Sequence, residues 1–199
     1  KIVIEIEGKR EKALDFFGLA SDKKTILIIG GSLGAKAVND AILPQINRFV
    51  EEGVQLIWQT GNVSYAAVAE GTKNLKIKGI KVHQFIAEMH LAYAAADLVI
   101  SRAGAIAVTE IVLTKKPAIL VPLPSAAEDH QTKNALALTQ HDAAILVSNA
   151  QAANILTDLA LELVKNEEEL TKLENNIAPF GLPNSAEVIA TEALKLTNL

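Results

Sequence analysis

The sequence predicts an α/β fold built on a doubly wound parallel sheet. Short apolar stretches alternate along the chain with stretches that have the period of amphipathic helices. The apolar stretches, among them "ILII" and "AILV", do not alternate with polar residues, which is typical of strands buried on both faces. Regular alternation of strand and helix requires right-handed crossovers, and these place helices on both faces of the sheet, as in Rossmann-like domains.

The predicted elements follow one another in order along the chain. Strands are expected at residues 25–29, 54–59, 80–85, 97–101, 118–121 and 143–147. Helices are expected to begin near Ala35, Val63, Met89, Ala105, Gln131 and Ala152. The last of these helices is predicted to bury one stripe, formed by Ile155, Leu156, Leu159, Leu163 and Val164.

Length and composition set the domain organisation. Half of the 199 residues are apolar, which is enough for one substantial core. We expect a linker remnant and a lead-in helix in 1–24, the Rossmann-like domain in 25–182, and a terminal helix in 183–199 that packs toward another domain. That helix should run from Ser185 to about Leu196, capped by Asn184 or Ser185. The chain begins abruptly at "KIVIEI" without a methionine, so we expect it to be part of a longer polypeptide.

Composition excludes several classes of function. The net charge of −4 is spread along the chain with no basic stripe, so nucleic acid is not an expected partner. There are no cysteines for disulfides or thiolate metal sites, and the 4 histidines form no metal-binding pair such as HExxH, so no metal is expected. No apolar run approaches the ~18 residues of a membrane span, so we expect a soluble chain.

The stretch "TILIIGGSLGAKAVND" at residues 25–40 contains the first candidate site. A buried strand is followed by Gly30, Gly31, Ser32, Leu33 and Gly34, and a helix is expected to begin after them. In a doubly wound sheet, ligands bind beyond the carboxyl ends of the strands. Free N–H groups and the positive end of a helix dipole make such a junction an anion site, and phosphate is the expected guest.

The glycine spacing excludes the two commonest phosphate loops. The dinucleotide fingerprint GxGxxG needs glycines where this chain has Ser32 and Ala35. A P-loop needs glycine directly before its lysine, and Lys36 follows Ala35. The sequence therefore disfavours NAD and a P-loop nucleotide as ligands.

Three later stretches follow predicted strands and should lie at the same edge of the sheet. "SRAG" ends a strand and opens a helix that carries Glu110 about two turns in, where a carboxylate can accept hydrogen bonds from both hydroxyls of a ribose. Phe85 and Ile86 end another strand, and a backbone edge there could pair with a flat base.

The third stretch is "VPLPSAAEDHQTKNALAL". Asp129, His130, Gln131 and Asn134 cluster at the mouth of the next helix, where amide and imidazole groups suit the hydroxyls of a sugar. Asp129 is also expected to cap this helix.

These stretches together resemble the C-terminal domain of the MurG family, the UDP-N-acetylglucosamine transferases that make lipid II from lipid I. The resemblance runs from about Glu7 to the end of the chain. The matching pieces are "GGSLGA" at 30–35, "FI" at 85–86, "SRAGAIAVTEI" at 101–111 and "KPAILVPLPSAAEDHQTKNA" at 116–135.

The resemblance implies a role for each piece in binding UDP-N-acetylglucosamine. Ser32 and its loop amides would approach the diphosphate, the Ile86 backbone would recognise uracil, and Glu110 would bind the ribose hydroxyls. Gln131 would contact sugar hydroxyls and Arg102 would lie near the nucleotide, while some relatives have a glutamine where this chain has His130. The full set of candidate donor-binding residues is Gly31, Ser32, Leu33, Gly34, Phe85, Ile86, Arg102, Gly104, Glu110, His130, Gln131 and Asn134.

Members of this family have two Rossmann-like domains in the GT-B arrangement, with the active site between them. The resemblance implies that the N-terminal domain, which this chain lacks, supplies the lipid I site, the catalytic base and the membrane-associating surface. We therefore expect this C-terminal half to bind the donor without turnover and to contain no catalytic residue. The whole enzyme would be an inverting transferase, peripheral on the cytoplasmic side of the bacterial inner membrane and needing no cofactor.

Three other functions remain open at this point. Another GT-B glycosyltransferase with a lipid acceptor would share the nucleotide site, and a comparison of UDP-N-acetylglucosamine with UDP-glucose and UDP-galactose would separate it. A UDP-N-acetylglucosamine 2-epimerase would form an epimerised product. A non-catalytic α/β binding module would bind no UDP at all.

Overall fold

The computed structural model describes residues 5–73, 79–182 and 185–197. It contains a parallel sheet with helices on both faces. The strands are β1 (Thr25–Ile29), β2 (Gln55–Gln59), β3 (Ile80–His83), β4 (Leu98–Ser101), β5 (Ala118–Leu120) and β6 (Ile145–Leu146). The helices are α1 (Arg10–Phe17), α2 (Lys36–Ile42), α3 (Ile46–Glu51), α4 (Tyr65–Lys73), α5 (Met89–Ala95), α6 (Ala105–Leu113), α7 (His130–Thr139), α8 (Ala152–Lys165), α9 (Glu167–Ile177) and α10 (Ser185–Thr197).

The strand order is β3-β2-β1-β4-β5-β6, and every neighbouring pair is parallel. This is the order of the Rossmann fold, so the predicted fold class is confirmed. The order reverses between β1 and β4. Their carboxyl ends, Ile29 and Ser101, lie side by side in the ladder. A crevice is therefore expected between the loops that follow these two strands.

Two apolar layers sandwich the sheet. In β1, Leu27 and Ile29 point into the layer that α1, α5, α6 and α7 cover. Ile26 and Ile28 point into the layer formed with α2, α3, α4, α8 and α9. All five residues of this strand are buried, which explains why the apolar run shows no alternation. The lead-in helix α1 packs on α5 and belongs to the same core.

Five strands are shorter than the sequence predicts: β2, β4 and β5 by one residue each, and β3 and β6 by two and three. β3 stops at His83, which pairs with Gln59, the last residue of β2. Because β2 offers no further partner, Phe85 and Ile86 lie in the following loop and do not end a strand, which corrects the prediction. β6 is limited to Ile145 and Leu146 because it pairs only with the end of the short strand β5.

The C-terminal helices differ from the prediction in two ways. Ile155 on α8 is 41% exposed, because the buried face turns toward Thr157, Ala160 and Leu161. Helix α9 was not predicted, since its apolar stripe is narrow and its first turn is wholly acidic. The Asn166 side chain caps α9 by accepting a hydrogen bond from the Glu169 N–H.

The final helix, α10, lies where the sequence predicts it. The predicted cap at Asn184 or through the Ser185 side chain falls outside the described part of the chain. In the three described ranges, no helix combines the length and the apolar character needed to cross a membrane.

Candidate functional site

A cavity of about 700 Å³ lies at the carboxyl ends of β1 and β4, at the switch point of the sheet. Its walls come from the loops after β1 and β3, the last residues of β2 and β4, and the first two turns of α6. The lining residues are Ile29, Gly31, Ser32, Gln59, Phe85, Met89, Ser101, Arg102, Gly104, Ala105, Ile106, Ala107 and Glu110. Six of them were predicted from the sequence, namely Gly31, Ser32, Phe85, Arg102, Gly104 and Glu110.

The glycines of the β1 loop have different roles. Gly31 has φ +71°, and a Cβ added there would meet no atom within 4 Å, so its backbone is open to an approaching ligand. Gly34 has φ +96°, and its Cβ would come within 2.5 Å of the Thr60 carbonyl oxygen. Gly34 therefore lets the loops after β1 and β2 pack together. Like Leu33, whose side chain is 74% exposed, it does not line the cavity.

Unpaired backbone donors line the cavity on two sides. Among the described residues, none accepts a hydrogen bond from the N–H groups of Gly31 and Ser32. Opposite them, α6 begins after Gly104, and the N–H groups of its first turn have no intrahelical acceptor. The first turn of α6 lines the cavity whereas no residue of α2 does, so α6 supplies the positive helix-dipole potential there.

Glu110 is the acidic residue of the cavity lining and is half-buried. Its Oε2 accepts a hydrogen bond from the Tyr93 hydroxyl at 3.1 Å. Burial raises the pKa of the Glu110 carboxyl above its ordinary value, and the hydrogen bond from Tyr93 opposes that rise. For Tyr93, burial raises the pKa well above its ordinary value, and the charge and hydrogen bond of Glu110 act in the same direction.

Another wall is formed by the exposed ring of Phe85 in the loop after β3 and by Met89, the first residue of α5. Ile86 is buried, and its N–H donates to Gln59 Oε1 at 2.9 Å. Since this N–H is already paired, the carbonyl of Ile86 is the backbone group left to meet a base. Gln59 lines the cavity as well and was missed, although its place at the end of β2 was predicted.

Arg102 borders the cavity, but its Nη1 is committed to neighbouring elements. It donates to the carbonyl oxygens of Val121 at 3.0 Å and Pro122 at 3.2 Å, and to Asn149 Oδ1 at 2.7 Å. Burial lowers the pKa of Arg102 from its very high ordinary value, and the guanidinium remains charged at neutral pH. It thus ties the ends of β4 and β5 together beside the cavity.

The polar residues that begin α7 do not line this cavity. Gln131 Oε1 accepts from the Leu123 N–H at 3.0 Å, and Asn134 Nδ2 donates to the Ala103 carbonyl at 3.0 Å. His130 Nδ1 lies 2.8 Å from the Ala127 carbonyl oxygen, so it is bound within its own turn. These contacts hold the β5 loop against the end of β4, next to the cavity.

Asp129 stands at the N-cap position of α7 but makes no capping hydrogen bond, which corrects the prediction. Its Oδ1 instead accepts from the Thr132 hydroxyl at 2.6 Å. The cause is backbone geometry, because Asp129 has φ +55° and the preceding Glu128 has φ +50°. An N-cap residue normally has β-region dihedrals, from which its side chain can reach the N–H groups of the first turn.

Ser101 is a second cavity residue that the sequence reasoning missed. It ends β4, is 1% exposed, and its Oγ has no hydrogen-bond partner within the described residues. Ser101 opens the stretch "SRAG" described above, but its residue type alone does not mark its hydroxyl as unpaired. Buried polar groups are normally hydrogen-bonded, so this hydroxyl at the wall of the cavity is an exception within the described residues.

No group of three or more histidine, cysteine, aspartate or glutamate side chains in the described ranges could hold a metal ion. The cavity lining itself supplies backbone donors, one carboxylate, a half-buried guanidinium and the amide side chain of Gln59. Such a set can bind a phosphorylated ligand that also carries hydroxyl groups.

The chain is similar to known proteins over most of its length. The model of the "Glycosyltransferase family 28 C-terminal domain" matches residues 25–189. A Bacteroides fragilis protein named "UDP-N-acetylglucosamine--N-acetylmuramyl-(pentapeptide) pyrophosphoryl-undecaprenol N-acetylglucosamine transferase" is 52% identical over 191 residues, which are 94% of this chain and 50% of that protein. A Parabacteroides distasonis protein of the same name is 45% identical over 96% of this chain and 52% of that protein. The chain thus spans about half the length of the curated relatives it matches.

Among solved structures, MurG from Acinetobacter baumannii superposes with a TM-score of 0.75 and is 32% identical, over 92% of this chain and 53% of that one. The C-terminal CMP-Kdo binding domain of WaaA from the same organism gives a TM-score of 0.63 at 13% identity, over 86% of this chain and 95% of that one. The second likeness is one of fold alone.

Proposed function

The chain belongs to the family of glycosyltransferase family 28 C-terminal domains, and from that premise we propose that it is the donor-binding domain of an N-acetylglucosamine transferase of peptidoglycan synthesis. Its ligand is UDP-N-acetylglucosamine, and the whole enzyme transfers N-acetylglucosamine to lipid I to give lipid II. One observation carries the proposal. The open loop after β1, the N-terminus of α6 and the carboxylate of Glu110 meet in a single cavity at the switch point of the sheet.

The diphosphate binds between the two sets of free backbone donors. On one side are the N–H groups of Gly31 and Ser32, and on the other is the first turn of α6. As the bond to the sugar breaks, negative charge grows on the diphosphate, and fixed donors at a helix N-terminus stabilise that charge. Removing one preorganised donor of this kind typically costs about 3 kcal/mol of transition-state stabilisation.

The nucleoside binds toward Glu110 and the β3 loop. The carboxylate of Glu110 accepts hydrogen bonds from the ribose hydroxyls, and uracil lies against Phe85 and Met89. The carbonyl of Ile86 accepts from the base, since its N–H is bound to Gln59. The apolar lining excludes water and strengthens the interactions of the carboxylate.

The sugar extends toward the start of α7. The Nε2 group of Gln131 has no partner among the described residues and is available to a sugar hydroxyl. His130 and Asn134 hold the adjoining loop through backbone carbonyls. Ser32 and Arg102 complete the donor site beside the phosphates.

The acceptor half of the reaction belongs to a second domain. We propose that such a domain binds lipid I and supplies the base that removes the proton from the 4-hydroxyl of the muramyl sugar. That oxygen attacks the anomeric carbon with inversion, and UDP leaves. The assembled enzyme would work as a peripheral protein at the cytoplasmic face of the bacterial inner membrane, with the contact to lipid made by the second domain.

Calorimetric titration of this chain with nucleotides tests the proposal. We expect binding of UDP and UDP-N-acetylglucosamine, with UDP-glucose and UDP-galactose weaker than the N-acetylated donor. Glu110→Ala should weaken UDP binding by about 1.5–3 kcal/mol, the range for a hydrogen bond to a charged group, or about 10- to 150-fold. Glu162→Ala, at an exposed position on α8, is the matched control and should bind UDP as the parent chain does. A parent chain that binds none of these nucleotides would refute the proposed function.

A further inference from the structure

Tyr93 is fully buried on α5, outside the cavity lining, yet its hydroxyl reaches the one carboxylate that lines the cavity. We infer that Tyr93 is a positioning residue, which holds the Glu110 carboxylate from behind in the orientation that accepts both ribose hydroxyls. The inference rests on the proposed function, because it concerns how the same site reads a ribose.

The packing of Tyr93 makes it a rigid support. Its ring lies in the apolar layer beneath α5 and α6, at 0% exposure. A buried aromatic side chain has only two rotatable bonds, so its hydroxyl has a fixed position. Glu110, in contrast, is half-buried and has a long side chain that solvent would otherwise leave free to rotate. The hydrogen bond of 3.1 Å from Tyr93 to Oε2 restricts that freedom before any ligand arrives.

The bond leaves enough acceptor capacity for a ribose. A carboxylate has two oxygens with about four acceptor positions, and Tyr93 occupies one of them. Two adjacent hydroxyls need only two of the remaining positions. The donor is also permanent, because burial keeps the pKa of the Tyr93 hydroxyl well above the physiological range. Burial of Glu110 favours its protonated form, and the hydroxyl of Tyr93 counteracts that tendency, so it helps to keep the carboxylate charged.

A purely structural role would give a different result. In that case the hydroxyl of Tyr93 would only satisfy a buried polar contact, and its removal would change unfolding without regard to the ligand. A positioning role acts through the ribose hydroxyls, so its effect must disappear when the ligand has none. The decisive comparison is therefore between UDP and 2′,3′-dideoxy-UDP.

The experiment measures both nucleotides by calorimetry against the parent chain, Tyr93→Phe, Glu110→Ala and the double variant. Tyr93→Phe keeps the ring and deletes only the hydroxyl, and urea unfolding checks that each variant is folded. The matched control is Tyr65→Phe, at the only other tyrosine of the chain, on α4. We expect Tyr93→Phe to weaken UDP binding about tenfold, the low end for a hydrogen bond to a charged group, because Glu110 itself remains.

We further expect Tyr93→Phe to leave the affinity for dideoxy-UDP unchanged and to add no loss to Glu110→Ala. Equal weakening of both nucleotides, or no weakening of either, would overturn the inference while leaving the proposed function standing. A parent chain that binds dideoxy-UDP as tightly as UDP would also overturn it, because the ribose would then not be read. If the parent chain binds no UDP, the proposed function fails and the role of Tyr93 fails with it.

Discussion

A large cavity lies at each end of the parallel strands, one at their carboxyl ends (the carboxyl edge) and one at their amino ends (the amino edge). The two cavities differ in how far their polar groups are already paired within the fold. The cavity at the carboxyl edge has a volume of about 700 Å³, and the one at the amino edge about 640 Å³. At the amino edge, Asp97 accepts from Arg10 Nη2 at 3.0 Å and from the Thr25 N–H at 2.8 Å. Lys24 bridges Asp97 and Glu167, and Lys116 Nζ donates to the Ala96 carbonyl at 2.7 Å.

At the carboxyl edge some polar groups are left open, although several side chains there are paired within the fold. The N–H groups of Gly31 and Ser32 have no acceptor in the described part of the chain. Within the described residues, two buried side-chain atoms lack a partner, His83 Nε2 and Ser101 Oγ, and each belongs to the last residue of a strand at this edge. Cavity volume thus does not distinguish a ligand site from a structural crevice. Open backbone donors at the cavity wall do, because free N–H groups near a helix N-terminus can bind an anion.

The largest expected change in the free energy of unfolding comes from a substitution at the amino edge. Asp97 is mostly buried, with 15% of its side chain exposed, and it accepts from two elements at once. Asp97→Ala should lower the free energy of unfolding by about 3 kcal/mol, because Arg10 and the Thr25 N–H lose a charged partner. Affinity for UDP should not change, since the cavity at the other edge is untouched.

Urea unfolding and UDP calorimetry on Asp97→Ala make this test. The control is Asp158→Ala, which removes an ion pair to Arg48 from an aspartate side chain that is 65% exposed. A surface pair of this kind contributes about 0–1 kcal/mol, so the control should unfold almost as the parent does. Loss of UDP affinity in the folded Asp97→Ala chain would show that the two edges are coupled, contrary to the comparison.

Alanine substitutions at a pair of glycines should change the free energy of unfolding by an intermediate amount. Gly31 has φ +71° at the carboxyl edge, and Gly53 has φ +72° in the turn before β2, at the amino edge. Neither glycine has an atom within 4 Å of the position of an added Cβ. Alanine at either position should therefore cost the same left-handed backbone strain, about 1–2 kcal/mol.

The pair separates strain from contact with a ligand. Gly31→Ala places a methyl group where the diphosphate is proposed to lie, so UDP affinity should fall, whereas Gly53→Ala should bind UDP as the parent does. Unfolding and calorimetry on both variants provide the measurement. Equal UDP affinities in the two variants would mean that the β1 loop is only a tight turn.

The sequence predicts which residues lie at the carboxyl edge better than it predicts the contacts that those residues make. Strand ends follow from apolar runs that stop at glycines, and parallel topology then brings Gly31, Gly104 and Glu110 to one place. The partners of individual side chains depend on tertiary packing. Nothing local in the sequence links Tyr93 to Glu110, or Gln59 to the Ile86 N–H across 27 positions.

The amino edge illustrates the same limit. Arg10 and Asp97 are 87 positions apart, and only the packing of α1 on α5 brings them together.

At the start of α7, the amides of Gln131 and Asn134 were expected to face a sugar, and in the structure both bind backbone groups of neighbouring loops. Residue type and position along the chain therefore predict where a polar group lies, but packing decides what it binds.

The smallest expected effect concerns the unpaired hydroxyl of Ser101. Deleting a buried hydroxyl that has no partner removes a desolvation cost and no hydrogen bond, so Ser101→Ala should leave the free energy of unfolding unchanged or raise it by up to about 1 kcal/mol. If a ligand atom pairs with this hydroxyl, the same change should weaken UDP binding by about 0.5–1.5 kcal/mol, or about 2- to 12-fold.

Thr157→Val is the matched control for Ser101→Ala. The Thr157 hydroxyl is also buried, but it donates to the Ala41 carbonyl at 3.2 Å, so its loss should destabilise the chain by about 1 kcal/mol without changing UDP affinity. Opposite signs in the two unfolding experiments would show that an open polar group at the carboxyl edge is kept at a cost to stability, as expected of a binding site. If Ser101→Ala instead destabilises the fold and leaves UDP binding unchanged, then Ser101 is bound within the fold and the carboxyl edge is no more open than the amino edge.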